Sequence, residues 1–252
     1  MNETRRFALI QLDPEPCDPM QLAKALAAIR GTPVQDQVLV ARGAWGIVAD
    51  DLSEMEAKSI GQALRSAGVR CAAGPVNALA RIPAAEMLST FGDMPAARPT
   101  LMAVAGLSVR TEKTTSVKKG PSGAQKAAST AIMMTTGIPI KIGGRKGKVE
   151  KTRSEESLAF FVDLYYEDPA RRLRIDASSF DFSCLDQRML YQAQGNLKLL
   201  MGDLVQASPE SWLNHGARVL LEGRPIRTMG YRSLDDLERE ARWLLTLRSL
   251  GK

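Results

Sequence analysis

Residues 158 to 166 read Leu158-Ala159-Phe160-Phe161-Val162-Asp163-Leu164-Tyr165-Tyr166, and this run is the strongest strand signal in the chain. Leu158, Phe160, Val162, Leu164 and Tyr166 recur at period 2, with Phe161 and Tyr165 on the other side. A strand of this pattern is covered on one face and partly on the other. Downstream, Asp168-Pro169 makes a turn, and Leu173 and Ile175 alternate with Arg172, Arg174 and Asp176 as a hairpin partner. Phe180 and Phe182, flanking Asp181, point the same way if extended. Upstream, Leu101 to Val109 reads as a strand, and Thr111 to Val117 continues it with threonines and a valine suited to a half-exposed surface.

Helices follow this sheet. Asn196 is placed to cap a helix in which Leu197, Leu200, Met201, Leu204 and Val205 share one face, bounded by Pro209. Ala217 to Leu221 fits a strand or a short helix equally, because periodicity does not separate them over so few residues. Ser233 opens a last helix with Asp235, Asp236 and Glu238 near its positive end. Leu234, Leu237, Ala241 and Leu244 form its apolar stripe, which we expect against the sheet.

The N-terminal third is a separate pattern. Phe7 to Leu12 reads as a strand; Asp18 then caps a helix with Pro19 at its first position, a stripe of Leu22, Leu26 and Ile29, and a stop at Gly31. Val38 to Val40 and Trp45 to Val48 read as two strands joined by Ala41-Arg42-Gly43-Ala44. Ser53 with Glu56 forms a capping box for a helix running to Gly68. Val69 to Ala72 and Val76 to Ile82 then read as strands around the Gly74-Pro75 turn. The fold class expected is α+β: residues 1–83 as a βαββαβ domain similar in architecture to ferredoxin-like domains, 84–99 as a linker rich in alanine and proline, and 100–252 as a β-rich α+β domain finished by helices.

Charge is unevenly distributed. Of a formal net +6, residues 110–153 carry 11 Lys or Arg against Glu112 and Glu150, a local net of +9, so the remainder nets −3. The cations bracket an uncharged interior, Ala127 to Ile140. Such a segment is either a core element with solvated flanks or a surface that meets something anionic. If it is a surface, Lys118, Lys119, Lys141, Arg145, Lys146, Lys148 and Lys151 are its anion-binding or partner-binding residues. No aromatic residue lies between Phe91 and Phe160, so the stacking platforms of single-strand nucleic-acid binders are missing from it.

Other chemistry finds little support. Gly143-Gly144-Arg145-Lys146-Gly147-Lys148 resembles a phosphate loop, but a Walker loop requires glycine and Ser or Thr where Ile142 and Val149 stand. A turn is expected at Gly120-Pro121-Ser122-Gly123. His215 is the single histidine and Cys17, Cys71 and Cys184 are widely spaced, which describes neither a metal site nor a disulfide framework. Cys71 and Cys184 read as small buried hydrophobes. Asp163, Asp176, Asp181 and Asp186 read as surface or turn aspartates rather than as an acid and base pair. No secretory leader and no run of roughly 18 apolar residues is visible, and a reducing cytoplasm is the expected location. The expectation is a protein without cofactor or metal and without catalytic machinery, serving as a binding, regulatory or scaffold module through residues 110–153. Its partner would be another protein or a second copy of itself. A nucleic-acid or phosphate binder is the alternative, and an enzyme with a site convergent from distant residues is the third reading.

Overall fold

In the computed structural model the chain is described over residues 6–118 and 148–251, with side chains over 6–109 and 157–251. By contacts it divides into one unit of Met1–Leu107 with Ala159–Lys252, and a second of Ser108–Leu158. The fold is mixed α and β with two sheets.

The first sheet comprises β1 (Phe7–Gln11), β2 (Ile47–Leu52) and β3 (Cys71–Pro75) in the order β2-β1-β3, with β1 antiparallel to both neighbours. Successive side chains of a strand point to opposite faces. Leu9 accordingly joins Leu22, Leu26, Leu64 and Val69 in one core, while Ala8 and Ile10 join Ile47 and Trp243 in another. The helices α1 (Pro19–Arg30), α2 (Val34–Arg42) and α3 (Glu54–Ser66) supply the first of these cores. The Asp18 side chain accepts from the Met20 N–H at 3.0 Å, and the Ser53–Glu56 capping box closes in both directions.

Two expected strands are absent from this sheet. Val38 to Val40 lies within α2, because a three-residue apolar run does not fix a period. The helix turns Gln37 and Ala41 inward one turn apart and leaves Leu39 and Val40 exposed. Gln37 is held there by bonds from Arg30 and to Thr32, both 3.0 Å. Val76–Ala78 is a single 3₁₀ turn, entered through Val76 N, which donates to Arg6 O at 2.9 Å. The sheet therefore has three strands, and the four-stranded βαββαβ arrangement is not formed.

The second sheet has the order β4-β7-β6-β5-β8. Its strands are β4 (Ala85–Met87), β5 (Leu101–Lys118), β6 (Lys148–Tyr166), β7 (Arg171–Asp176) and β8 (Trp212–Leu213). β6 and β7 pair antiparallel from Phe161↔Asp176 to Tyr166↔Arg171, whereas β4 on β7 and β8 on β5 are parallel. The period-2 run is the end of β6, but both its faces are covered: Asp163 and Tyr165 are as buried as Val162 and Leu164. The segment 84–99, expected as a linker, supplies β4 and the buried Leu88, whose N–H donates to Arg174 O at 2.8 Å. Its alanines and prolines signal a loop, yet the edge of β7 offers unpaired backbone groups that a short strand satisfies. The contact division falls at residues 107 and 159 and not within 84–99.

Three helices complete this unit: α4 (Ala193–Ala207), α5 (His215–Glu222) and α6 (Leu234–Ser249). α4 starts three residues before Asn196, which instead brackets Leu190 through its N–H at 2.6 Å and its carbonyl at 2.9 Å. Ala217 to Leu221 is helical, started by Asn214 as its cap. Among the described residues, no helix is long and apolar enough to cross a membrane.

α6 packs on the first sheet as well as the second. The indole N–H of Trp243 donates to Gln11 O at 2.7 Å, and Gln11 N donates to Gly46 O at 2.7 Å. Gly46 has φ +79°, and a Cβ there would overlap the Trp243 ring, so glycine is required twice over.

In the second unit, β5 and β6 continue as strands, with Ser157 Oγ 3.4 Å from Val109 O.

Candidate anion-binding surfaces

Of the sequence-predicted site residues, Lys118 is the last residue of β5, Lys148 the first of β6, and Lys151 follows on the same strand. Lys119, Lys141, Arg145 and Lys146 lie outside the described residues. So do the turn expected at Gly120–Gly123 and the uncharged interior 127–140. The division into units sharpens the charge pattern. Ser108–Leu158 contains eleven Lys or Arg and four acids, a net of +7, which leaves −1 for the unit that carries both sheets.

In that larger unit several cations are paired with acids. Arg171 meets Glu86 and Arg188 meets Asp203, each at 2.6 Å; Arg232 meets Asp236 at 3.1 Å. The most enclosed set centres on Asp163. Read from sequence as a surface or turn residue, Asp163 is fully buried and holds two guanidinium groups. β6 and β7 place it beside Arg174, and Tyr165 beside Arg172, on one face of the sheet. Arg174 Nε donates to Asp163 Oδ1 at 2.7 Å, while Arg172 Nη2 and Arg174 Nη2 donate to Oδ2 at 2.7 and 2.8 Å. Glu238 of α6 accepts a further bond from Arg172 at 2.7 Å, so two carboxylates balance two arginines. Burial works against the charge of Arg172, but the hydrogen bond to Glu238 and the nearby Asp163 keep its pKa above the ordinary arginine value. Burial first, then the Asp163 charge, pushes the Tyr165 phenol far above its usual range.

A second enclosed polar set joins α6 to the start of α5. The Glu240 carboxylate accepts from Tyr231 OH, from Asn214 Nδ2 at 2.9 Å and from the His215 N–H at 3.0 Å. Asn214 Oδ1 accepts from Val104 N at 2.9 Å and Ala217 N at 2.8 Å, which ties β5 into the same network. Burial raises the Glu240 pKa, and the three donors oppose it. His215 itself opens α5, with Nε2 2.9 Å from Thr228 O. Sequence offered no sign of this network, because its bonds span up to 110 positions.

The remaining sequence candidates have local roles. Asp176 accepts from Ser178 N at 2.9 Å and Asp181 from Ser183 N at 2.9 Å, both turn contacts. Asp186 takes φ +46° in the 3₁₀ segment Ser183–Arg188. Cys71 lies buried in β3, where desolvation raises its pKa. Cys17 and Cys184 are half-buried, and their thiols are likewise raised, burial being the first cause.

One groove of about 480 Å³ opens where α6 passes the segment following β3. Ile47, Arg81 and Ile82 line it on one side and Glu238, Arg239 and Arg242 on the other. The Ala80 backbone is clamped to α6: its N–H donates to Thr246 Oγ1 at 2.9 Å and its carbonyl accepts from Arg242 Nε at 3.1 Å. Arg239 is engaged by Ala44 O and Ile47 O at 3.1 and 2.9 Å and by Asp50. Sequence analysis did not single out any of these arginines.

No protein-family model, no curated protein and no solved structure matches this chain.

Proposed function

We propose that the chain is a non-catalytic binding protein, regulatory or scaffolding, and that residues 110–153 are its contact surface. The carrying observation is the charge partition: +7 falls on Ser108–Leu158, whose four acids cannot match eleven cations, while the larger unit nets −1. Uncompensated charge gathered on one part of a chain favours association with the opposite sign. The partner is an acidic face of another protein, or of a second copy, which the slightly acidic larger unit also provides. The free cysteines suit a reducing cytoplasm. We further take the N-terminal layer as a ferredoxin-like arrangement short of one edge strand, since β1 keeps its central place between two antiparallel neighbours.

The alternative, nucleic-acid binding, is favoured by one observation: β5 and β6 are neighbouring strands of 18 and 19 residues, and a two-stranded ribbon is a shape that the DNA major groove admits. Retention of the purified chain on polyglutamate, heparin, duplex DNA and single-stranded RNA, measured across a salt series, separates the readings. A protein partner predicts retention on polyglutamate that is lost in the Lys146→Glu, Lys148→Glu, Lys151→Glu variant. Nucleic-acid binding predicts a steep linear fall of log affinity with log salt, about 0.9 per phosphate contact on duplex DNA. Release from every matrix at low salt would remove both.

A further inference from the structure

We propose that the groove between α6 and the segment following β3 is a binding site for a small organic phosphate monoester with an apolar substituent. This site is independent of residues 110–153. Its volume, about 480 Å³, lies within the range of small-molecule sites, roughly 300–1,000 Å³.

The charge balance of its walls identifies the ligand. Arg239 spends three of its five N–H donors on two carbonyls and Asp50, so the fold holds it in the groove wall with its charge set against Asp50. Glu238 is neutralised from behind by Arg172 and Arg174. Two cations remain. Arg81 has no hydrogen bond or ion pair among the described residues, and Arg242 uses only Nε, on Ala80 O, leaving both Nη groups open. The clamp on Ala80 fixes both: it locks the Arg242 stem and holds the next residue, Arg81, against α6. Arginine presents its donors as a rigid fork suited to paired acceptor oxygens. A carboxylate can take two forks, as Asp163 does, but its single negative charge balances only one of two cations. A phosphate monoester supplies three terminal oxygens and a charge of about −1.5 to −2, which meets both. Ile47 and Ile82 provide the apolar wall for the substituent.

Titration calorimetry of the intact chain with phenyl phosphate, inorganic phosphate and benzoate tests the assignment. Saturable binding is expected, tightest for phenyl phosphate. Arg81→Ala and Arg242→Ala should each weaken it about tenfold, the size of a charge-assisted hydrogen bond. Ile82→Ser should bring phenyl phosphate down to the level of inorganic phosphate. Arg81→Ala removes a side chain with no described partner, so it keeps the fold, which a melting curve verifies. The site is overturned by absence of saturable binding, by benzoate binding as well as phenyl phosphate, or by binding unchanged in Arg81→Ala. Loss in Lys148→Glu with Lys151→Glu but not in Arg81→Ala would move the phosphate to the basic segment and equally overturn it.

Discussion

Arg172 and Arg174 share one buried carboxylate and a second at its edge, whereas the cations of Ser108–Leu158 outnumber the acids beside them by eleven to four. The same residue types thus serve opposite ends. In the first case a cation is committed to the fold and its removal is paid in stability; in the second the sequence holds more cations than acids, which is the ground of the contact surface proposed above. Net charge of the whole molecule would not distinguish them, since +6 is the sum of +7 and −1.

The contrast can be broken most directly at Asp163. Asp163→Asn leaves two buried guanidinium groups with one partly exposed carboxylate, and losing one member of a buried ion pair costs about 3–5 kcal/mol. Equilibrium urea unfolding should show a fall of that size; a variant as stable as the parent would mean that these arginines reach solvent and belong with the leftover charge.

Glu240→Gln tests whether a buried acid without a cation follows the same rule. Replacing an acceptor of three bonds by an amide should cost about 1–3 kcal/mol. Its pH dependence carries the sign. A carboxyl whose folded pKa is raised holds its proton more tightly in the folded state, so its contribution is fully present below the unfolded pKa and lost as pH rises through the folded value. The parent therefore loses stability relative to the variant as pH climbs above the ordinary glutamate range. Melting curves at stepped pH should show the gap between them narrowing; a gap that widens would place the Glu240 pKa below normal.

Asp203→Asn is the smallest effect. Its exposed pair with Arg188 lowers the carboxyl pKa, so what stability it brings is present above the ordinary aspartate value and lost as pH falls through the lowered one. The unfolding midpoint should hardly move at neutral pH and not at all in high salt. A clear drop would show that surface pairs of this unit share the weight carried by Asp163.

Sequence carried far where local chemistry acts alone. The caps at Asp18 and Ser53, the alternation of 158–166 and the stripe of Leu237, Ala241 and Leu244 all correspond to elements that form. It failed where a neighbour distant in the chain decides. Val38 to Val40 looks like a strand until Gln37 and Ala41 are seen turned inward, and Ala85–Met87 gains strand character only from the edge of β7. Arg172 and Arg174 of β7 alternate with Leu173 and Ile175 as solvent-facing residues do, yet both reach Glu238 of α6, more than sixty positions on. The groove was invisible for the same reason: Arg81 and Arg242 meet only because Ala80 is clamped to α6. The basic segment, by contrast, is legible as composition alone; of its candidate residues, Lys118 lies on β5 and Lys148 and Lys151 on β6.

The bond from Trp243 to Gln11 spans 232 positions, and it bears on the order of events at the ribosome. Until α6 is made, Ala8, Ile10 and Ile47 lack Trp243 as a neighbour, however early α1 and α3 take shape on the other side. At about 5–20 residues per second, that wait lasts on the order of ten to fifty seconds. A nascent chain of this protein thus leaves one apolar face of its first sheet without its last covering helix until residue 243 has been made.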